Sequence, residues 1–275
     1  MIGAIVGDIV GSPFEFDRGN KTSEFELFSP EADFTDDTLM TLAVGRALMD
    51  VAGDESLADE ALVRRMREFA NRYDLPKGGF GGRFRVWLRS PDPHPYGSYG
   101  NGSAMRVSSV GWLFDTLEET EHWAEISARV THNHPEGIKG AQATAAAIFL
   151  ARTQGASEAA KAGLKAYIQQ RFDYDLTRTL DDIRPSYRHV ESCQQSVPEA
   201  ITAYLESSDF ENALRLVISL GGDTDTTGAI TGSIAEAAYG IPASIQTEAF
   251  KRLPDDLLGV VASFNAKLGR PAIPR

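Results

Sequence analysis

Small residues recur in this chain at the spacing of packed helices: Gly3, Gly7 and Gly11 in the first apolar run, then Ala141 to Ala147 and Gly228 to Ala238. Such stretches fit helices packed close together in a buried centre. The apolar periodicity agrees. Leu39, Met40, Ala43, Ala47 and Leu48 form one stripe, and Ala58, Leu62, Met66, Phe69 and Tyr73 form another at steps of three and four. Further helices are predicted near 103–117, 121–131, 137–153, 156–170, 198–206, 209–219, 225–239, 243–252 and 255–267. No period-2 series or hairpin signal competes. The expected fold is all-α and compact, and a chain of 275 residues with 42% hydrophobic content suits one domain over 1–275.

One stretch falls outside the helical pattern. Pro76 to Gly102 is rich in Gly, Pro and aromatic residues, and loops of that length in compact domains are usually functional or disordered. Its end, Gly97-Ser98-Tyr99-Gly100-Asn101-Gly102-Ser103, runs into the helix expected near Ala104, where backbone N–H groups suit a phosphate. The Gly-Lys-Ser/Thr ending of a Walker loop is missing.

Two acidic clusters at opposite ends of the chain concentrate oxygen donors: Thr35-Asp36-Asp37-Thr38, and Asp223-Thr224-Asp225-Thr226 after Gly221-Gly222. A single side-chain oxygen suffices to cap a helix. Here Thr35, Asp36 and Asp37 supply three, and Asp223, Asp225 and Thr226 three more. Grouped carboxylates repel unless a cation lies between them, and hard oxygen donors without Cys select Mg²⁺, Mn²⁺ or Ca²⁺. An EF-hand from Asp223 fails because Ile234 occupies the position of the bidentate Glu. A DDxxD site fails because Thr38 to Thr41 follow Asp37. His132-Asn133-His134 lacks the Cys or H-E-x-x-H context of zinc, and Cys193 has no partner.

A net charge of −12 disfavours broad nucleic-acid binding, and no apolar stretch approaches the length of a membrane span. The single Cys and the absence of a basic n-region, with Asp8 interrupting Ile2 to Val10, predict a cytoplasmic protein.

With these motifs assembled, the chain resembles the ADP-ribosylglycohydrolases, the group that includes the dinitrogenase reductase-activating glycohydrolases. Gly7-Asp8 through Phe14-Glu15, T-D-D-T at 35–38, G-S-Y-G-N-G-S-A-M-R at 97–106, T-H-N-H-P at 131–135, V-P-E-A-I at 197–201 and G-G-D-T-D-T at 221–226 carry the likeness. The resemblance implies an orthogonal all-α fold, two Mg²⁺ or Mn²⁺ ions and an ADP-ribose cleft. It implies Thr35, Asp36, Asp37, Asp223, Asp225 and Thr226 as metal ligands. Gly97, Ser98, Tyr99, Gly100 and Asn101 correspond to the diphosphate loop, and His132 to a phosphate-side histidine. Glu15 corresponds to an acidic residue that approaches metals or substrate.

The implied reaction hydrolyses the C1″ bond of an ADP-ribosylated side chain or related conjugate, with Glu15 or Asp36 orienting or deprotonating the water. Phe80, Trp87, Tyr96 and Tyr99 are available as an adenine platform. Two alternatives stay open, a phosphohydrolase releasing AMP and a noncatalytic, crystallin-like ADP-ribose binder. Glu15 together with the segment Phe16 to Phe34, which carries Asp17, Glu24, Glu26, Glu31 and Asp33, is expected to form an acidic lid that favours an arginine-linked conjugate.

Overall fold

The computed structural model describes residues 1–19, 21–73 and 79–271, and among these the chain is helical without a strand. Helix α1, Ile2–Gly11, has every residue buried, so it is a central element and not an amphipathic surface helix. It packs most extensively against α13, Thr224–Tyr239. The glycine spacing explains how. A β-carbon on Gly3, Gly7 or Gly11 would lie 2.1 Å from the Gly232 carbonyl oxygen, 2.0 Å from that of Gly228 and 2.2 Å from that of Thr224. Only hydrogen at these positions lets the two backbones meet, and Thr224 Oγ1 completes the contact by donating to the Gly11 carbonyl at 2.8 Å.

The stripes predicted at 39–48 and 58–73 become α2, Asp36–Val51, and α3, Ala58–Arg72, which pack on each other. The stretch expected as one helix over 103–117 is instead two single turns, α5 at Gly102–Met105 and α6 at Val110–Leu113. Arg106 ends the first turn at φ −94°, ψ −2°, and Ser108 and Ser109 are weak helix formers at the break. The predicted loop 76–102 also contains structure, because Phe84, Trp87 and Leu88 anchor α4, Gly82–Arg89, to the core. Its start, Pro76 to Gly78, lies outside the described residues.

Around the α1–α13 pair stand α7, Leu117–Arg129; α8, Pro135–Gln154; α9, Glu158–Phe172; the single turn α10, Leu180–Ile183; and α11, Cys193–Glu206. The chain continues through α12, Phe210–Ile218; α14, Ala243–Phe250; and α15, Asp255–Lys267. Helix α11 starts before Pro198, earlier than the predicted boundary, and encloses that proline. The buried Ala141 to Ala147 run lies in α8, which packs on α7, α11 and α13. Among the described residues no helix is long and apolar enough to cross a membrane.

Candidate metal centre and substrate cleft

Helix α1 brings the two acidic clusters together. Its one buried acid, Asp8, accepts from the Thr35 N–H at 2.9 Å, Thr35 Oγ1 at 2.7 Å, the Thr38 N–H at 3.0 Å and the Thr38 hydroxyl. This clamp fixes the entry to α2, from which Asp36 and Asp37 line the cleft. At the other end of α1, a 3₁₀ turn over Ser12–Phe14 delivers Glu15 to the start of α13. There Gly221 and Gly222 take φ of +73° and +81°, conformations that L side chains rarely adopt, and the reversal directs Asp223 and Asp225 inward.

Single side-chain oxygens of Glu15, Asp223 and Asp225 lie within 4.8 Å of one another. Asp36, Asp37 and Thr226 line the same cleft, and the buried Asp37 Oδ2 has no hydrogen-bond partner. Burial, reinforced by Asp223 and Asp36, pushes the Glu15 carboxyl up to about 7. Burial and Asp8 push Asp36 up to about 7. Asp37 and Asp225 lie well above the usual carboxylate range, chiefly through burial and then through their acidic neighbours. An orphaned buried carboxylate oxygen among mutually repelling acids, with a threonine hydroxyl beside them, fits a hard divalent cation.

Thr35 sits differently from the other five residues of the expected ligand set. It is fully buried and outside the cleft lining, its Oγ1 donating to Asp8 and accepting from the Asp37 N–H at 3.2 Å. It caps α2 and leaves one lone pair free.

Of the expected diphosphate loop, Ser98, Gly100 and Asn101 line the cleft, whereas Gly97 and the half-exposed Tyr99 lie outside it. The N–H groups of Gly97, Gly100 and Asn101 already donate within the protein, to Asn133 Oδ1, Ser98 Oγ and the Glu191 carbonyl. Asn101 Nδ2 donates to Asp223 Oδ2 at 2.7 Å and to Ser196 Oγ at 3.1 Å, so this side chain steadies an acid of the candidate centre.

His132 lines the cleft almost fully buried, and burial together with Arg106 and Arg83 holds its imidazole well below its ordinary pKa. His134 is outside, capping α8 through Nδ1, which accepts from the Glu136 N–H at 3.1 Å. Cys193 is fully buried, its thiol donating to the Gly100 carbonyl at 3.1 Å.

Two expectations need correction. Trp87 is no adenine platform: it is buried and stacked on Phe84 with centroids 5.3 Å apart, and Phe80 packs half-buried on the same Phe84 ring, leaving Tyr96 as the member of that aromatic set in the cleft. The acidic lid fails too. Among the described residues of Phe16 to Phe34 only Phe16 reaches the cleft, and Arg215 holds the Ser23 and Phe25 carbonyls against α12. Asp17 instead bolts the turn after Glu15 in place, accepting from the Gly222 N–H at 2.9 Å and the His189 N–H at 3.0 Å.

Residue-level reading missed Asp8 and Asp17 as organisers, and it missed Arg83, His189 and Glu191 as cleft wall. An aspartate inside an otherwise apolar helix was the available signal for Asp8.

The sequence profile of the ADP-ribosylglycohydrolases matches residues 1–270. The chain belongs to the ADP-ribosylglycohydrolase family. Mouse ADP-ribosylhydrolase ARH3 is 27% identical, with 88% of this chain and 83% of the relative aligned. The ADP-ribosyl-[dinitrogen reductase] glycohydrolase of Rhodospirillum rubrum is 26% identical over 88% of this chain and 84% of its own. A solved structure described as an ADP-ribosylglycohydrolase-related protein complex superposes with a TM-score of 0.68 at 20% identity, covering 98% of this chain and 92% of that one, which establishes the shared all-α fold. Membership of the ADP-ribosylglycohydrolase family implies a hydrolase.

Proposed function

We propose that this family member is a cytoplasmic, single-domain, metal-dependent glycohydrolase that cleaves the C1″ glycosidic bond of an ADP-ribosyl conjugate and releases intact ADP-ribose. The convergence of Glu15, Asp36, Asp37, Asp223, Asp225 and Thr226 on the floor of one cleft walled by Ser98, Gly100 and His132 carries this reading.

Asp36, Asp37, Asp223, Asp225 and Thr226, with Thr35 through its remaining lone pair, would hold two Mg²⁺ or Mn²⁺ ions. Bound there, such ions supply Lewis-acid polarisation of ribose hydroxyls and water. The protein's own groups do the rest. Asn101 holds Asp223 in position, and Asp8 holds the turn that presents Asp36 and Asp37. Ser98, Gly100 and His132, which line one wall of the cleft, would face the diphosphate.

Hydrolysis adds a water oxygen to C1″, breaks the bond from C1″ to the acceptor atom and returns one proton to that atom. The water must therefore lose a proton and the leaving group must gain one. Glu15, within reach of the acids and lining the cleft, suits that exchange, and Asp36 is the second candidate. The test is incubation with arginine-linked and serine-linked ADP-ribosyl conjugates and O-acetyl-ADP-ribose in Mg²⁺, followed by product analysis. Intact ADP-ribose is the expected product. AMP would indicate a phosphohydrolase, and no turnover of any conjugate would indicate a binder.

A further inference from the structure

Arg106 is a large, fully buried side chain, and the titratable groups that bear on it among the described residues are Tyr96, Cys193 and the His132 imidazole, all held neutral by burial. Burial lowers it to about 10, so it remains a cation at neutral pH. Guanidinium nitrogens only donate. Its Nη2 donates to the Ser127 carbonyl at 3.2 Å and to Thr131 Oγ1 at 2.7 Å, and among the described residues no carboxylate answers its charge.

Thr131 has one hydroxyl proton and two places to put it: the Ala128 carbonyl at 3.4 Å, or His132 Nδ1 at 2.7 Å. The Ala128 oxygen already accepts two backbone N–H groups, from His132 at 2.8 Å and Thr131 at 3.1 Å, so its lone pairs are taken. The distance to it is also long for an O–H donor, whereas 2.7 Å is ordinary. Donation from the Arg106 cation further polarises the hydroxyl as a donor. The proton therefore goes to Nδ1, which must be bare.

We infer that Arg106 and Thr131 are positioning residues that fix His132 as the neutral imidazole with its proton on Nε2. No hydrogen bond engages Nε2 among the described residues. It faces the loop: β-carbons built on Gly100 and Gly102 would lie 3.6 and 3.3 Å from it. His132 thus offers the cleft a single uncharged N–H, suited to an anionic oxygen such as that of a phosphate ester. The opposite tautomer would turn a lone pair toward that oxygen and repel it. The ligand's identity as a diphosphate rests on the function proposed above; the tautomer does not.

Long-range ¹H–¹⁵N spectroscopy of the histidine rings in the full-length, Mg²⁺-loaded protein reads the tautomer directly, with His132→Gln assigning the signal. The expected spectrum has Nε2 protonated and Nδ1 bare near neutral pH. Thr131→Ser should keep it, and Thr131→Val should lose the Nδ1 acceptor signature and weaken ADP-ribose about tenfold in calorimetric titration. A wild-type spectrum showing Nδ1–H or an imidazolium overturns the inference, even if Thr131→Val does not fold. So does an unchanged tautomer in a folded Thr131→Val. A correct tautomer in a protein that does not bind ADP-ribose overturns the functional reading and leaves the relay standing.

Discussion

Gly7 and Gly228 touch backbone to backbone: a β-carbon on Gly7 would lie 2.0 Å from the Gly228 carbonyl oxygen, and one on Gly228 would lie 2.5 Å from the Gly7 oxygen. This contact sets the spacing of α1 and α13, and with it the distance from Glu15 to Asp223 and Asp225. Gly7→Ala should therefore destabilise by about 3 kcal/mol or more in urea unfolding, at the upper end of overpacking costs. Gly259→Ala, in an open position of α15, should be neutral or stabilising by up to about 1 kcal/mol. Equal costs at both sites would remove the close contact as the determinant.

Asp8 binds no cleft ligand in this account, yet Asp8→Asn should cost about 2 to 4 kcal/mol, because an amide cannot accept from all four donors of Thr35 and Thr38. The Mn²⁺ content of the surviving folded protein should fall as well. Full metal content in Asp8→Asn would separate Asp8 from the centre.

Asn101→Ala should weaken Mn²⁺ binding about tenfold through loss of the 2.7 Å contact to Asp223, a typical cost for a partner of a ligating carboxylate. Isothermal titration of the metal alone reads this without substrate. An unaltered affinity would return Asn101 to the substrate loop alone.

The pH dependence of the cation-free protein follows from the raised carboxyls. Glu15 rises from 4.5 to about 7, Asp36 from 3.8 to about 7 and Asp8 from 3.8 to about 6. Each binds its proton more tightly folded than unfolded, so the folded chain holds more protons between about pH 4 and pH 7. Stability therefore falls as pH rises through that window. Melts in EDTA should show a higher Tm at pH 5 than at pH 8, and saturating Mg²⁺ should raise Tm more at pH 8, where the acids are ionised. A Tm in EDTA that climbs from pH 5 to pH 8 would contradict the raised carboxyls.

The failed acidic lid changes what controls the leaving group. Glu24 and Glu26 are exposed and absent from the cleft, so neutralising both to Gln should leave kcat/KM within about twofold. Phe16, half-exposed at the cleft and 4.8 Å from the His189 ring, should matter more: Phe16→Ala should lower kcat/KM about tenfold. A larger effect from the glutamates would restore the lid.

Much of this architecture was legible in the sequence because helices announce themselves locally. The stripes at Leu39 to Leu48 and Ala58 to Phe69 became α2 and α3, and the redundancy of oxygens in the two clusters pointed to one centre before any contact was known. What escaped depends on long-range partners. Asp8 looked like a break in an apolar run, and only the packing of Thr35 and Thr38 onto it shows a clamp. Asn101 sat in a glycine-rich turn that suggested backbone cradling, whereas its amide reaches an acid from the far end of the chain. Trp87 and Tyr96 were equivalent aromatics by composition, and α4, hidden between glycines and prolines, sends one to the core while the other faces the cleft. Helix 103–117 failed because a buried Arg106 and two serines break the run between its apolar residues.

The central claim, that these acids form one divalent-cation centre, is tested most directly by the thermal unfolding of EDTA-treated protein with and without Mg²⁺. At about a hundred times Kd, the cation should add about 2.7 kcal/mol of stability, provided the unfolded chain does not bind it. Wild type should show that gain and Asp225→Asn should lose it. Superimposable melts of the stripped and Mg²⁺-saturated wild type would contradict the account.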